Sequence, residues 1–441
     1  MITSEQPGFH KLSAKERIDI IKEFRGLTNE DVDLLHEDFA PKEAFGILYQ
    51  WEEYTSNKLE EYAKKWGENT IGKFAYFPLR IAPNFLIDGK DYFVPMTGEE
   101  PSVAAAASYA ASLARKGGGF ETDYTGSIMY GQIQLIDVKD PVETIKKISD
   151  AKKRLLELAN KQDQKLVSVG GGAKDIEFLN PLKTKKGDYM VVGQLVVDVK
   201  DVMGANAVNT MSEAISPAIE EITDCKTNLR IISNFADKRL ARSKAKFPIK
   251  ELARENLPGE EVAERILSAY EFADNFVYRA ATHNKGIMNG IDAVLLATGQ
   301  DFRAVEAGAH AYAARSGQYR SLTKYRIEDD FVIGEIELPM AVGVYGGVRD
   351  PKPELCKKIL GAKSSDEFAR SLASVGLAQN FGALRALTTE GIQKGHMRLH
   401  AKQLVEQIGA GELSEKVLEK LVEGPVTFDR ATEILKDLKK N

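Results

Sequence analysis

Four short segments set ionisable residues beside small or apolar ones. Glu99-Glu100-Pro101-Ser102 stands immediately before an Ala-rich run, and Arg279 to Gly286, which contains Lys285, separates two apolar stretches. Gly299-Gln300-Asp301 opens a helical pattern, and Gly395-His396-Met397 lies between an apolar helix and a charged tail. Carboxyls and an imidazole can move protons, and an ammonium can stabilise negative charge that develops on an oxygen. Each segment also has a plain structural reading. An acid ahead of a helix complements its dipole, Asp301 fits an N-cap, Lys285 fits a solvated loop, and most single histidines only pack. Lysine is seldom buried without a partner, which keeps the functional reading of Lys285 open. Taken singly, none of the four decides.

Three glycine-bearing segments could face phosphate. Gly170-Gly171-Gly172 and Gly343-Val344-Tyr345-Gly346-Gly347 fit neither GxGxxG between strand and helix nor a Walker pattern, so each reads as a tight turn. Asp201-Val202-Met203-Gly204-Ala205-Asn206 follows a strand and opens a helix, where backbone N–H groups could hold a pyrophosphate.

The elements that must position these residues follow from periodicity. Residues 1 to 66 read as charged helices, with capping-box spacing at Ser13/Glu16 and a second start at Thr28/Asp31; the stretch from Tyr49 to Trp66 reads as a solvated helical face. Short strand-like pieces run to Val94, and an Ala-rich helix from Ser102 to Arg115 stops at Gly117-Gly118-Gly119. From 127 to 235 the pattern changes. Met129, Gly131, Ile133 and Leu135 alternate as in a strand, and Ile145, Ile148, Leu155 and Ala159 share a helical face. Strands at Asp175–Leu179 and Tyr189–Val199 precede a helix marked by Val208, Met211 and Ile215, with a kink expected at Pro217, and Leu229–Ser233 closes the set. Strand, helix, strand, strand, helix, strand is ferredoxin-like rather than Rossmann order. Beyond Phe235 the chain turns helical, at Val262–Ala281, Phe302–Arg315 and Asp366–Leu387. Phe331–Val344 is mostly strand, and the charged tail ends in an amphipathic run, Ala431–Leu438. The fold class is therefore α+β, in four sections: 1–126, 127–235, 236–395 and 396–441.

Bulk properties narrow the partners. The chain has 441 residues, 43% of them apolar, and a formal net charge of -5, which disfavours nucleic acid. Its two cysteines, Cys225 and Cys356, are far apart, so neither a disulfide framework nor a metal cluster is expected. No run of about 18 apolar residues is present to span a bilayer, and Met1 to Arg17 lacks the apolar core of a secretion signal. A cytoplasmic globular protein is expected.

Together the segments resemble the hydroxymethylglutaryl-CoA reductase family, from about Leu27 to about His400. Glu68–Gly72 resembles its ENVIG element, with Thr70 in place of valine, and Asp201 to Thr210 its DAMGAN segment, with Val202 in place of alanine. The acid loop aligns at Glu100, the lysine segment at Lys285, the aspartate turn at Asp301 and the histidine at His396. Glu-Pro in the acid loop and Asn-Lys-Gly around the lysine are similar to the class II branch. The long charged stretch at 49–66 and the undistinctive tail depart from the family.

The resemblance implies a fold and a reaction. A large, mainly helical substrate-binding domain (1–126 and 236–395) would carry an inserted small βαββαβ cofactor domain (127–235) and a C-terminal helical flap (396–441). Hydroxymethylglutaryl-CoA and mevalonate plus CoA would interconvert in two reductive steps. Lys285 would stabilise the oxyanion and Glu100 would carry the proton. Asp301 would bridge the two, and His396, brought in by the flap, would protonate the CoA thiolate. Ser102, Arg279 and Asn289 would hold the acyl group. Asp201, Met203, Gly204, Ala205, Asn206 and Thr210 would hold the dinucleotide. Asp163 would bind the adenosine ribose, so NAD(H) is expected over NADP(H). A homodimer, or an assembly of dimers, is implied. Two rival readings remain, an acyl-CoA hydrolase or transferase and a non-catalytic CoA-binding protein; the physiological direction is not readable.

Overall fold

The computed structural model describes residues 3–36, 78–98, 100, 102–254, 257–345, 351–389, 391, 401–402 and 404–440. The ENVIG-like element, the 49–66 stretch, Glu99, Pro101, Gly346, Gly347 and His396 lie outside them. Helix α1 (Ala14–Arg25) opens on the expected capping box, in which Ser13 and Glu16 satisfy one another's backbone N–H groups. Ahead of α2 (Asn29–His36), Thr28 and Asp31 repeat the exchange, at 2.8 Å from the Thr28 N–H and 3.1 Å from the Asp31 N–H.

Strands β1 (Leu79–Ile87) and β2 (Lys90–Thr97) form a hairpin; α3 (Ser102–Lys116) and β3 (Phe120–Tyr124) follow. The next section supplies β4 (Ile128–Val138), α4 (Pro141–Asp150), α5 (Lys152–Asn160), α6 (Gln164–Ser168), β5 (Gly172–Phe178), β6 (Leu182–Lys183), β7 (Tyr189–Asp198), α7 (Ala205–Thr223) and β8 (Lys226–Ser233). Then come β9 (Leu240–Pro248), α8 (Gly259–Asn275), α9 (Val277–Ala297), α10 (Phe302–Ala313), β10 (Thr323–Glu328), β11 (Phe331–Pro339), α11 (Pro351–Leu360) and α12 (Ser365–Thr388), with α13 (Ser414–Val422) and α14 (Phe428–Lys440) at the end. No described helix is long and apolar enough to cross a membrane.

Two sheets organise these elements. One runs β10-β11-β9-β3-β1-β2, and the other β5-β7-β4-β8 with β6 beside β7. Every pairing in the second is antiparallel, which separates it from the parallel sheet of a Rossmann fold. Alternation along β4 sends Met129, Ile133 and Leu135 into a core shared with Val208, Met211 and Ile215 of α7. Helix α7 runs unbroken through Pro217. Proline offers no N–H to the carbonyl of Glu213, but both residues are exposed, so water can satisfy that carbonyl.

The larger core places the site. Helix α12 is buried along most of its length and packs on α9, whose inward face carries Ile287, Met288, Ile291 and Val294. Each such side chain contributes about 1.5–3 kcal/mol when buried. Gly290 allows the approach: a Cβ there would stand 2.9 Å from the Cβ of Gln379, so Gly290→Val would push the helices apart. Two expected helices are divided. Ala151 separates α4 from α5, and Phe276, in an extended conformation, separates α8 from α9. Strand β11 ends at Pro339, short of Val344, because proline cannot continue the ladder.

Candidate functional site

The sequence suggested a loop for Lys285, yet it sits in the middle of α9. That changes what it can face. Asn289 is one turn further on and Asp292 nearly two, so all three lie along one stripe of the helix. The stripe forms a wall of a cleft of about 220 Å³ whose other lining includes Arg80, Met96, Glu100, Val103, Leu296 and Phe302. Lys285 is exposed to it, and among the described residues no carboxylate lies within ion-pair distance of its ammonium.

Glu100 enters from the turn between β2 and α3. Its Oε1 accepts from the Ser102 N–H at 3.0 Å, and its carbonyl accepts from the Val103 N–H at 3.4 Å. The carboxyl thus sits on the helix N-terminus, where the dipole favours negative charge. Ser102 begins α3 and fixes Glu100 through its backbone; it is not among the cleft's lining residues. Arg80 donates to the Gly98 carbonyl at 2.6 Å and steadies the turn from β1.

Asp301 is the N-cap of α10: its Oδ1 accepts from the Ala304 N–H at 3.2 Å, with Arg303 Nε at 3.6 Å. Its neighbour Phe302 lines the cleft and Asp301 does not. The acid that shares the wall with Glu100 and Lys285 is Asp292, which sequence reading passed over. Burial, then the neighbouring Glu306 carboxyl, raise its pKa to about 8. Helical spacing from Lys285 would have revealed it, had that segment been read as helix.

Arg279 lies in the first turn of α9, half-buried and without an acidic partner among the described residues, and burial lowers its pKa. A desolvated guanidinium is ready for a carboxylate. His283, one turn on, is buried and neutral: burial and then Arg279 lower its pKa to about 3. Its Nε2 lies 2.8 Å from Thr323 Oγ1 and 2.9 Å from Ser321 Oγ, so it packs and does not face the cleft.

The second candidate region surrounds the start of α7. Gly204 takes φ +103 as N-cap, and a Cβ there would meet Val199 at 2.5 Å. Among the described residues no side chain caps this helix, so the backbone N–H groups of Ala205 and Asn206 can meet an anion, and the segment fits a dinucleotide diphosphate. Asp201 Oδ1 accepts from the Ser365 N–H at 2.7 Å, tying the segment to α12. Met203 is half-buried; Asn206 and Thr210 are exposed. Behind them lies a residue that sequence reading missed, the fully buried Arg239. It donates to the carbonyls of Val202 and Met203 at 3.2 Å, to the Val342 carbonyl, and to the Tyr124 hydroxyl at 2.7 Å. Asp163 caps α6, accepting from the Leu166 N–H at 2.9 Å.

No residue lining the cleft comes from 127–235, so the acid–ammonium cleft and the anion cradle are separate surfaces of one chain. Where α8 meets the cleft's helix, Phe272, Phe276, Val277 and Tyr278 are exposed, Tyr278 to 91%.

Comparison with known proteins gives one family throughout. The family profile for hydroxymethylglutaryl-coenzyme A reductase matches residues 14–401. A 3-hydroxy-3-methylglutaryl-coenzyme A reductase of Archaeoglobus fulgidus is 49% identical over 443 residues, covering 99% of this chain and 95% of that relative. A solved reductase from Streptococcus pneumoniae is 38% identical with TM-score 0.77, covering 98% of this chain and 99% of that one. A class II reductase from the same organism, described as bound to NADPH in open conformations, has the same identity and TM-score, covering 97% of this chain and all of that one.

Proposed function

The chain belongs to the hydroxymethylglutaryl-coenzyme A reductase family, an oxidoreductase family, and on that premise we propose how its residues divide the reaction between hydroxymethylglutaryl-CoA and mevalonate plus CoA. The observation that carries the reading is the meeting of Glu100, Lys285 and Asn289 in one cleft despite their separation along the chain.

A bound dihydronicotinamide supplies hydride. Lys285 then stabilises the oxygen that becomes negative as hydride arrives, a role worth about 3–4 kcal/mol where a single such donor has been removed from other enzymes. Glu100 protonates that oxygen and takes the proton back as the hemithioacetal opens. Asp301, beside the wall in the single chain, completes the set when the cleft closes. His396 protonates the leaving thiolate, carried by the flap from 396 onward. Arg279 pairs with the free carboxylate of the acyl group, with Asn289 and the Ser102 turn beside it. The segment 201–210 holds the dinucleotide diphosphate, braced by Arg239, and Asp163 meets the adenosine ribose. A carboxylate there favours NAD(H), with NADP(H) as the second cofactor; the NADPH-bound relative keeps both in play.

Because cleft and cradle lie apart on one chain, the reading includes a homodimer in which the exposed Phe272–Tyr278 corner packs against a second copy. It keeps 127–235 as the cofactor domain and 396–441 as the flap, and places the protein in the cytoplasm, where buried thiols such as Cys225 and Cys356 stay reduced.

The test is loss of dihydronicotinamide absorbance with hydroxymethylglutaryl-CoA, beside Lys285→Met. Thioester-dependent oxidation is expected, and the variant loses about 10²–10³ in kcat with an unchanged melting temperature, since the lysine is exposed. Thioester hydrolysis without cofactor oxidation would instead identify a hydrolase.

A further inference from the structure

Asp292 lines the same cleft as Glu100 and Lys285, and no role above uses it. Its Oδ1 is buried with no hydrogen-bond partner among the described residues, and the carboxyl of Glu306 on α10 stands near enough to oppose its ionisation. Glu306 stands 3.6 Å from His310 Nε2, both side chains 37% exposed. His310 Nδ1 and the Tyr319 hydroxyl share a hydrogen bond of 2.7 Å. A connected series of titratable groups therefore runs from solvent to the cleft wall. Among the described residues, the charged groups that line the cleft with Asp292 are Arg80 of β1, Glu100 ahead of α3 and Lys285 of α9, with Glu306 and His310 of α10 behind. A carboxyl that faces a second carboxyl ionises only against repulsion, so Asp292 holds its proton to higher pH than an ordinary aspartate. An oxygen that receives no hydrogen bond is also better placed to carry a proton than a charge.

The proposed reaction needs such a store. Turning a thioester into an alcohol and a thiol takes up two hydrides and two protons: the C–S bond breaks, two C–H bonds form, one proton ends on sulfur and one on oxygen. Glu100 gives a proton to the first oxyanion, recovers it as the hemithioacetal opens, and gives it again to the final alkoxide. With the sulfur's proton coming from His396, Glu100 ends each turnover one proton short. We propose that the Asp292–Glu306 pair reloads Glu100 across the cleft and is itself reloaded from solvent through His310. Only protons move, so no oxidant or reductant is involved. The inference rests on the reading of Glu100 as proton carrier. Asp292 and Glu306 are relay residues that need not touch substrate.

The experiment compares wild type, Asp292→Asn, Glu306→Gln and Glu100→Gln in the thioester-reducing direction. Asparagine keeps the shape of Asp292 but has no acid proton to pass. In Asp292→Asn, kcat falls about tenfold or more while KM for the thioester stays within about twofold. Wild-type kcat declines as pH rises through the Asp292 pKa of about 8, and that inflection is absent from the variant. Imidazolium buffer restores part of the rate to the variant and adds none to wild type. The melting temperature at neutral pH does not fall, because a carboxyl held against another carboxyl has been removed. Glu306→Gln repeats the kinetic pattern. Wild-type kcat and pH profile in Asp292→Asn, with Glu100→Gln inactive, overturn the relay and leave the role of Glu100 standing. Activity retained in Glu100→Gln removes both. A lost rate that imidazolium does not restore, together with a lowered melting temperature, assigns Asp292 a structural role and also overturns the relay.

Discussion

Asp163→Asn separates charge from structure at the adenosine end of the cofactor site. In the fold Asp163 caps α6 through a 2.9 Å bond from the Leu166 N–H, and asparagine caps a helix about as well as aspartate. The substitution therefore keeps the turn and removes only the charge. A carboxylate about 4 Å from a 2′-phosphate is repelled by about 4 kcal/mol per pair of unit charges at an effective dielectric of about 20. Asp163 is half-buried, so solvent screening reduces that to about 1–2 kcal/mol, or about 5–30-fold. The ratio of kcat/KM for NADH over NADPH should drop by that factor in Asp163→Asn, mostly through a lower KM for NADPH. Asp163→Ala should shift the ratio equally and also lose about 1 kcal/mol of stability with the cap. Initial rates with each cofactor at saturating thioester, run beside melting curves, measure both. An unchanged ratio in Asp163→Asn, or a wild type that prefers NADPH, refutes the assignment.

Other predictions follow from the same geometry. Arg279→Lys keeps the charge but loses the two-pronged contact with a carboxylate, so KM for hydroxymethylglutaryl-CoA rises about tenfold or more while kcat changes little; an unchanged KM removes Arg279 from the binding site. His283 has its folded pKa lowered to about 3, against about 6.5 when unfolded. The unfolded chain thus binds more protons between those values, and stability falls by about 1.4 kcal/mol per unit as pH drops through that window. Urea midpoints measured across it should show a flatter slope in His283→Gln, and an equal slope contradicts the account. Tyr278→Asp at the exposed corner should shift the protein to a monomer in sedimentation and abolish thioester reduction; a fully active dimer would place the interface elsewhere.

The small sheet was legible because its strands alternate apolar and polar residues and its helices repeat at helical spacing. One register places Met129, Ile133 and Leu135 against Val208, Met211 and Ile215. The surroundings of Lys285 were not. Arg279 to Gly286 read as a break between two apolar stretches, yet α9 runs through it and meets Gln379 of α12 at Gly290, a contact more than 80 residues away that no local pattern records. Losing that helix meant losing Asp292, which belongs to the site only through helical spacing from Lys285. Arg239 escaped for a related reason: an arginine ahead of a strand looks like surface until carbonyls from 202, 203 and 342 close round it. Glu100 and Lys285 were found through motif resemblance, and the fold accounts for their meeting: the β2–α3 turn and α9 share one cleft.

The central claim is that Lys285 and Glu100 act as one unit on one reacting carbon. A double-mutant cycle in kcat for thioester reduction, with Lys285→Met, Glu100→Gln and the pair, addresses it directly. Each single change should lower kcat by about 10² or more, and the double variant should be no more than about tenfold below the weaker single. Losses that multiply in full, or a single variant that keeps wild-type kcat, would contradict the account.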